Sequence, residues 1–196
     1  MKMNSIILIL ILFSTIITAE EWHVKKSENN LVKFISSTTV LDFEGVTDKI
    51  DGYIYWKGEE IFGLENEIYF EVDLNSVETG IGKRDRDMRE DVLETDKWPK
   101  TSYRGKINKV EKMNDNNNQY KVSALGKMFL HGREKTIPIE ALINMTNDEM
   151  TVNCDFSVML KDYEIEAPSL LAFIKVADEI KLNLNFTLQK IMEKNN

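Results

Sequence analysis

Apolar and polar residues alternate along most of this chain. In Glu67–Leu74, Ile68, Phe70, Val72 and Leu74 share one face, and the opposite face is mostly acidic. Asp178–Gln189 repeats the pattern, with Ile180, Leu182, Leu184, Phe186 and Leu188 on one side and Lys181, Asn183, Asn185, Thr187 and Gln189 on the other. Thr136–Met145 places Ile137, Ile139, Ala141, Ile143 and Met145 in phase, and Tyr120–Leu130 does the same for Tyr120, Val122, Ala124, Gly126, Met128 and Leu130. In Met150–Val158 the single cysteine, Cys154, falls in phase with Val152, Phe156 and Val158. A period of two marks half-buried antiparallel strands. Leu31–Ser36, Lys49–Lys57 and Lys100–Val110 carry weaker versions of it. Asp115–Asn118, His131-Gly132-Arg133 and Asn147-Asp148-Glu149 supply the turn chemistry between strands. The pattern predicts roughly eight or nine antiparallel strands, forming a sandwich or a closed barrel. A barrel of about eight strands is wide enough to be filled by side chains or to hold one small ligand. Its interior is expected to be set by Phe34, Ile54, Phe70, Val72, Leu74, Ile139, Ile143, Phe156, Leu182 and Leu184.

One segment departs from the strand period. Residues 80–93 read as a short helical insertion, with Ile81, Met88 and Val92 on one face and opposite charges four apart at Lys83/Asp87, Asp85/Arg89 and Arg86/Glu90. Arg84 and Asp85 fall on the same stripe as Ile81 and Met88, so they are expected to face the body of the domain. There they either pin the loop as a charge pair or touch something held at the barrel mouth; pinning is the plainer reading.

The N-terminus stands apart from this pattern. Met1-Lys2-Met3-Asn4-Ser5 precedes the apolar run Ile6–Ile17 and the small residue Ala19. A spanning helix takes about 20 apolar residues, so this run is too short, and the arrangement reads as a signal peptide cleaved after Ala19. Residues 1–19 are then the signal and 20–196 a single domain, exported to the periplasm or secreted, without stable membrane insertion. An uncleaved anchor is the rival reading. With 25 basic against 33 acidic residues and a net charge of −8, nucleic acid is a poor partner. One cysteine permits no internal disulfide and no cysteine-rich metal cluster, and its strand phase makes it a buried, inert thiol. The two histidines, His23 and His131, have no metal-binding spacing, and there is no nucleophile elbow or phosphate loop. Neither catalysis nor a metal is expected.

Several short motifs in order resemble the YceI-like family of exported bacterial lipocalin-like proteins. They include Asn75-Ser76-Val77-Glu78-Thr79-Gly80, Lys83-Arg84-Asp85-Arg86-Asp87-Met88-Arg89, Trp98-Pro99-Lys100-Thr101-Ser102-Tyr103, Leu125–Lys135, Lys161-Asp162-Tyr163 and Val176–Ile180. The chain departs from the family pattern at Glu164, a glycine position, at Lys161, where arginine is usual, and in the apolar loop Glu166–Ile174. The resemblance implies an all-β, eight-stranded antiparallel lipocalin-like barrel. It also implies an elongated apolar cavity holding a polyprenyl or isoprenoid-quinone-like chain as ligand, with no other cofactor. The interior residues above, with Arg84, Asp85 and Met88 at the mouth, would contact that chain. A barrel with a filled core and a stress-related or interaction role is the alternative, because alternation reports burial and not cavity volume. Oligomeric state stays open, a dimer included.

Overall fold

The computed structural model describes residues 19–114, 117–171 and 174–191. The apolar run Ile6–Ile17 lies outside them, as does part of the loop Glu166–Ile174. The strands are β1 Ala19–Val24, β2 Leu31–Ser37, β3 Asp42–Thr47, β4 Ile50–Lys57, β5 Asn66–Asp73, β6 Lys100–Asn114, β7 Asn117–Leu130, β8 Arg133–Met145, β9 Glu149–Met159, β10 Ser169–Leu171, β11 Ile174–Lys175 and β12 Glu179–Lys190. Helix α1, Gly82–Asp87, runs into a wider π-type turn over Met88–Val92.

The main sheet closes on itself, because β1 pairs with both β4 and β12. Strands β1 and β2 lie end to end along one edge of β12: Val24 faces Leu188 and Leu31 faces Asn185. Strands β3 and β4 continue each other in the same way, beside β2 and β1 respectively. Counting each broken pair as one strand gives the closed 8-strand antiparallel barrel that the resemblance implied, one of the two architectures the alternation left open. Asn30 bridges the first break. Its Nδ2 donates to the Lys25 carbonyl at 2.9 Å, and its Oδ1 accepts from Thr187 N at 3.2 Å. Backbone groups left unpaired by the break are satisfied by a buried amide, as a sheet interior requires. Neither β1 nor β3 was visible in the sequence pattern, since each shows only a short apolar phase.

The two halves of the barrel are built differently. At one end Trp22 stacks on Trp56 with centroids 6.4 Å apart, Trp56 meets Phe62 edge-on at 4.9 Å, and Phe62 meets Tyr120 at 6.4 Å. Ile54, Ile68, Val122, Ile143, Met150 and Leu188 fill the remaining space. Asn66 holds the covering loop: its Nδ2 donates to the Phe62, Gly63 and Ile107 carbonyls, and its Oδ1 accepts from Ile107 N. At the other end β8 pairs with β9 only from Ala141 to Met145, so Arg133–Glu140 part company with β9. The segment after β9 covers this end with buried Leu160, Tyr163 and Ile165.

Candidate functional site

The end where β8 and β9 separate is hollow. A cavity of about 610 Å³ runs between the inner faces of β2, β5, β6, β7, β9 and β12, under the helical segment. Ligand pockets commonly span about 300–1,000 Å³. Phe34, Phe70, Val72, Leu74, Phe156, Leu182 and Leu184 line it, so seven of the ten residues expected inside the barrel meet around one space. Phe70 marks the boundary between hollow and packed halves: it lines the cavity and packs edge-on against the buried Phe186 at 5.0 Å.

Three expected residues are elsewhere. Ile54 and Ile143 are buried in the packed half, among the tryptophans. Ile139 is half-buried on the stretch of β8 that leaves β9, packed against the core without reaching the cavity. All three have the right phase. Phase fixes which side of a strand a residue faces, but not which half of the barrel it reaches.

The lining also contains residues that the pattern did not single out. Phe43 belongs to the unpredicted β3, and Tyr103 to the weakly patterned β6. Met128, Leu130, Val158 and Ile180 stood in the alternating runs and were recoverable from them. The Tyr103 phenol donates to the Ile137 carbonyl at 3.1 Å, and burial pushes its pKa up to about 12, so it stays neutral. Phe34 can lie flat on β3 because residue 45 is glycine; a Cβ there would sit 2.2 Å from its ring.

The helical insertion forms the rim. Gly80 turns the chain into it with φ of +79°, a conformation that side chains other than glycine rarely adopt. A helix of six residues is too short to be stable alone. Thr79 clasps it. The Asp85 carboxylate accepts from Thr79 N at 2.8 Å and also from the Thr79 hydroxyl. The Arg84 guanidinium donates through Nε to Thr79 Oγ1 at 2.7 Å and through Nη2 to the Thr79 carbonyl at 2.8 Å. Arg84 and Asp85 therefore do not pair directly; they pin the loop through Thr79, which the sequence reading had not given a role. Burial opposes ionisation of Asp85, but the two Thr79 hydrogen bonds, with Arg89 and Arg84 nearby, hold its pKa below the ordinary carboxylate value. Asp85 is buried outside the cavity lining, whereas Arg84 lines the rim and stacks over the Phe43 ring at 4.8 Å. Met88 and Val92 face the cavity as the helical stripe predicts. Of the three expected charge pairs, Lys83–Asp87 forms at 2.5 Å; Asp85 turns to Thr79 and Arg89 to the Val77 carbonyl at 3.3 Å, and Arg86 and Glu90 do not come within ion-pair distance.

The model of the YceI-like domain matches residues 22–188. The chain belongs to the YceI-like family. Its barrel is similar to that of Burkholderia cenocepacia BcnA, with a TM-score of 0.66 at 14% identity over 84% of this chain and 98% of that one. It is also similar to a polyisoprenoid binding domain from Saccharophagus degradans implicated in plant cell wall breakdown, with a TM-score of 0.70 at 18% identity over 86% and 98% of the two chains. The Campylobacter jejuni YCEI protein gives a TM-score of 0.50 at 20% identity over 64% and 73%. Comparison with curated proteins finds no match. In this YceI-like barrel, among the described residues, no three His, Cys, Asp or Glu side chains group as metal ligands, and no helix is long and apolar enough to cross a membrane.

Cys154 is buried beside the cavity without lining it, and burial pushes its thiol pKa up to about 12. The thiolate is the reactive species. Native protein at neutral pH is expected to react with a thiol reagent at least about a hundredfold more slowly than protein in denaturant, as the thiolate fraction falls with the raised pKa. Equal labelling rates would place the thiol at the surface.

Proposed function

We propose that this protein is exported, loses residues 1–19, and carries or sequesters a polyprenyl or isoprenoid-quinone-like chain in the hollow half of its barrel. The carrying observation is the cavity of about 610 Å³, lined mainly by apolar strand residues, in a barrel whose other half is packed with tryptophan and aliphatic side chains. A core meant only for stability would be filled throughout, because voids forgo dispersion contacts. The likeness to a polyisoprenoid binding domain supports the choice of ligand class. The reading is one of binding: the charged residues of the lining sit at the rim, above mainly apolar strand faces.

Cleavage after Ala19 is compatible with this barrel. It removes one register pair, Ala19 with Lys57, and leaves Glu20–Val24 in β1. Native mass spectrometry of protein purified from the exported fraction tests the reading in one measurement. The expected spectrum shows a chain beginning at Glu20, with an added mass that dissociates as a prenyl lipid. A chain of cleaved mass that carries no lipid and takes none up from prenyl-lipid micelles would favour the filled or interaction barrel.

A further inference from the structure

Ser36 lies on β2 two residues beyond Phe34, in the same inward phase, and lines the cavity. It is 2% exposed, and its hydroxyl has no hydrogen-bond partner. A buried hydroxyl facing apolar walls is unfavourable unless something in the cavity bonds to it. Its neighbours place it at the polar end of the space. Phe43, directly opposite on β3, carries the Arg84 guanidinium on its ring.

The charges around that end balance. The ionised residues lining the cavity are Lys83, Arg84, Asp87 and Asp91. Lys83 is paired with Asp87, and Arg84 is bound to Thr79 beside the buried Asp85 carboxylate. No net positive field is available for a phosphate or diphosphate head, which would call for unengaged cations. We propose that Ser36 selects a ligand whose chain ends in a neutral oxygen, a hydroxyl or carbonyl that exchanges a hydrogen bond with Ser36 Oγ. This rests on the lipid-binding reading above and adds to it the residue that distinguishes an oxygen-bearing chain from a bare hydrocarbon.

The test uses the full mature protein, freed of lipid, with three probes that share one branched carbon skeleton: geranylgeraniol, geranylgeranyl diphosphate and the saturated hydrocarbon phytane. The wild-type protein is expected to bind geranylgeraniol about tenfold more tightly than phytane, the worth of one net hydrogen bond, and more tightly than the diphosphate. Ser36→Ala is expected to erase the preference for the alcohol while leaving phytane affinity unchanged, and Ser36→Thr to retain it. Thermal melts of the ligand-free variants check that the fold is intact. Equal affinity of the wild-type protein for the alcohol and phytane would overturn the inference, since the hydroxyl would then be satisfied by water. An unchanged preference in Ser36→Ala, or a preference for the diphosphate, would overturn it too. In each of these cases the lipid reading survives. Failure of all three probes to bind the wild-type protein would remove the lipid reading and this inference with it.

Discussion

Replacing Val72 with lysine is expected to cost about 4 kcal/mol of stability at neutral pH and to abolish retention of a bound lipid. Val72 lies on β5 between Ile50 of β4 and Thr101 of β6, is 8% exposed, and lines the cavity. An ammonium group there has apolar neighbours and lies in the path of the ligand. Burial depresses a lysine pKa by about 3 units or more, and each unit corresponds to about 1.4 kcal/mol between its charged and neutral forms. The sign of the pH dependence follows. The penalty is complete below the depressed folded pKa, where the lysine is protonated in both states and the folded chain bears the full cost of the buried charge. It fades as pH rises towards about 10.4, the unfolded value, where the lysine is neutral in both states. Val72→Met, which keeps the site apolar, is expected to leave stability within about 1.5 kcal/mol of wild type. Urea melts at neutral and alkaline pH, with lipid extraction of each variant, check both parts. A Val72→Lys protein with unchanged stability and full lipid content would mean that this face of β5 points to solvent.

The clasp on the helical segment gives an asymmetric expectation. Asp85→Ala leaves the Thr79 amide and hydroxyl without their acceptor and is expected to cost about 2–3 kcal/mol. Arg84→Ala leaves Asp85 with both Thr79 donors and is expected to cost about 1 kcal/mol, mostly its own bonds to Thr79. Replacing both residues with apolar side chains does not restore the loss, because the Thr79 donors remain unsatisfied. A directly paired Arg84 and Asp85 would have given the opposite pattern, with the double variant recovering much of the single loss. The pH dependence is also specified. A carboxylate whose pKa is lowered on folding contributes its stability fully above its unfolded value, near 3.9, and loses it as pH falls through the lower folded value. Wild type and Asp85→Asn should therefore converge in stability as pH falls below the ordinary carboxylate range and through the lowered folded value. Equal destabilisation by Arg84→Ala and Asp85→Ala at neutral pH would show that the clasp is not centred on Thr79.

Several residues that the alternation passed over shape the cavity and its rim. Ser36 is a polar residue in an apolar phase, and the alternation passed over it. Thr79 was read as part of a family motif, with no chemistry assigned to it. Its role depends on the turn at Gly80 folding the helix back, so that residues five and six positions along the chain reach its amide and hydroxyl. Phe43 was missed because β3 carries one aromatic and a glycine where a strand would show repeated aliphatic residues. Gly45 is small so that Phe34 can lie against it, and a packing requirement of that kind appears only once both strands are in place.

By itself, the sequence determined the strands with strong alternation, the side of each strand that faces inward, the helical interruption at residues 80–93, and the buried state of Cys154. These are local properties. A side chain's face follows from the two-residue repeat of an extended backbone, and a short helix from residues three and four apart. The tertiary structure alone decided how the interior is shared between packing and space. Ile54, Ile143, Val72 and Leu182 carry the same inward phase, yet the first two lie among Trp22, Trp56 and their neighbours, and the last two border a cavity. The difference arises from what meets them across the barrel and from the parting of β8 and β9 beyond Ala141, which no single strand encodes. Cavity volume is a sum over side chains brought together from distant parts of the chain, so it exists only once the barrel has closed.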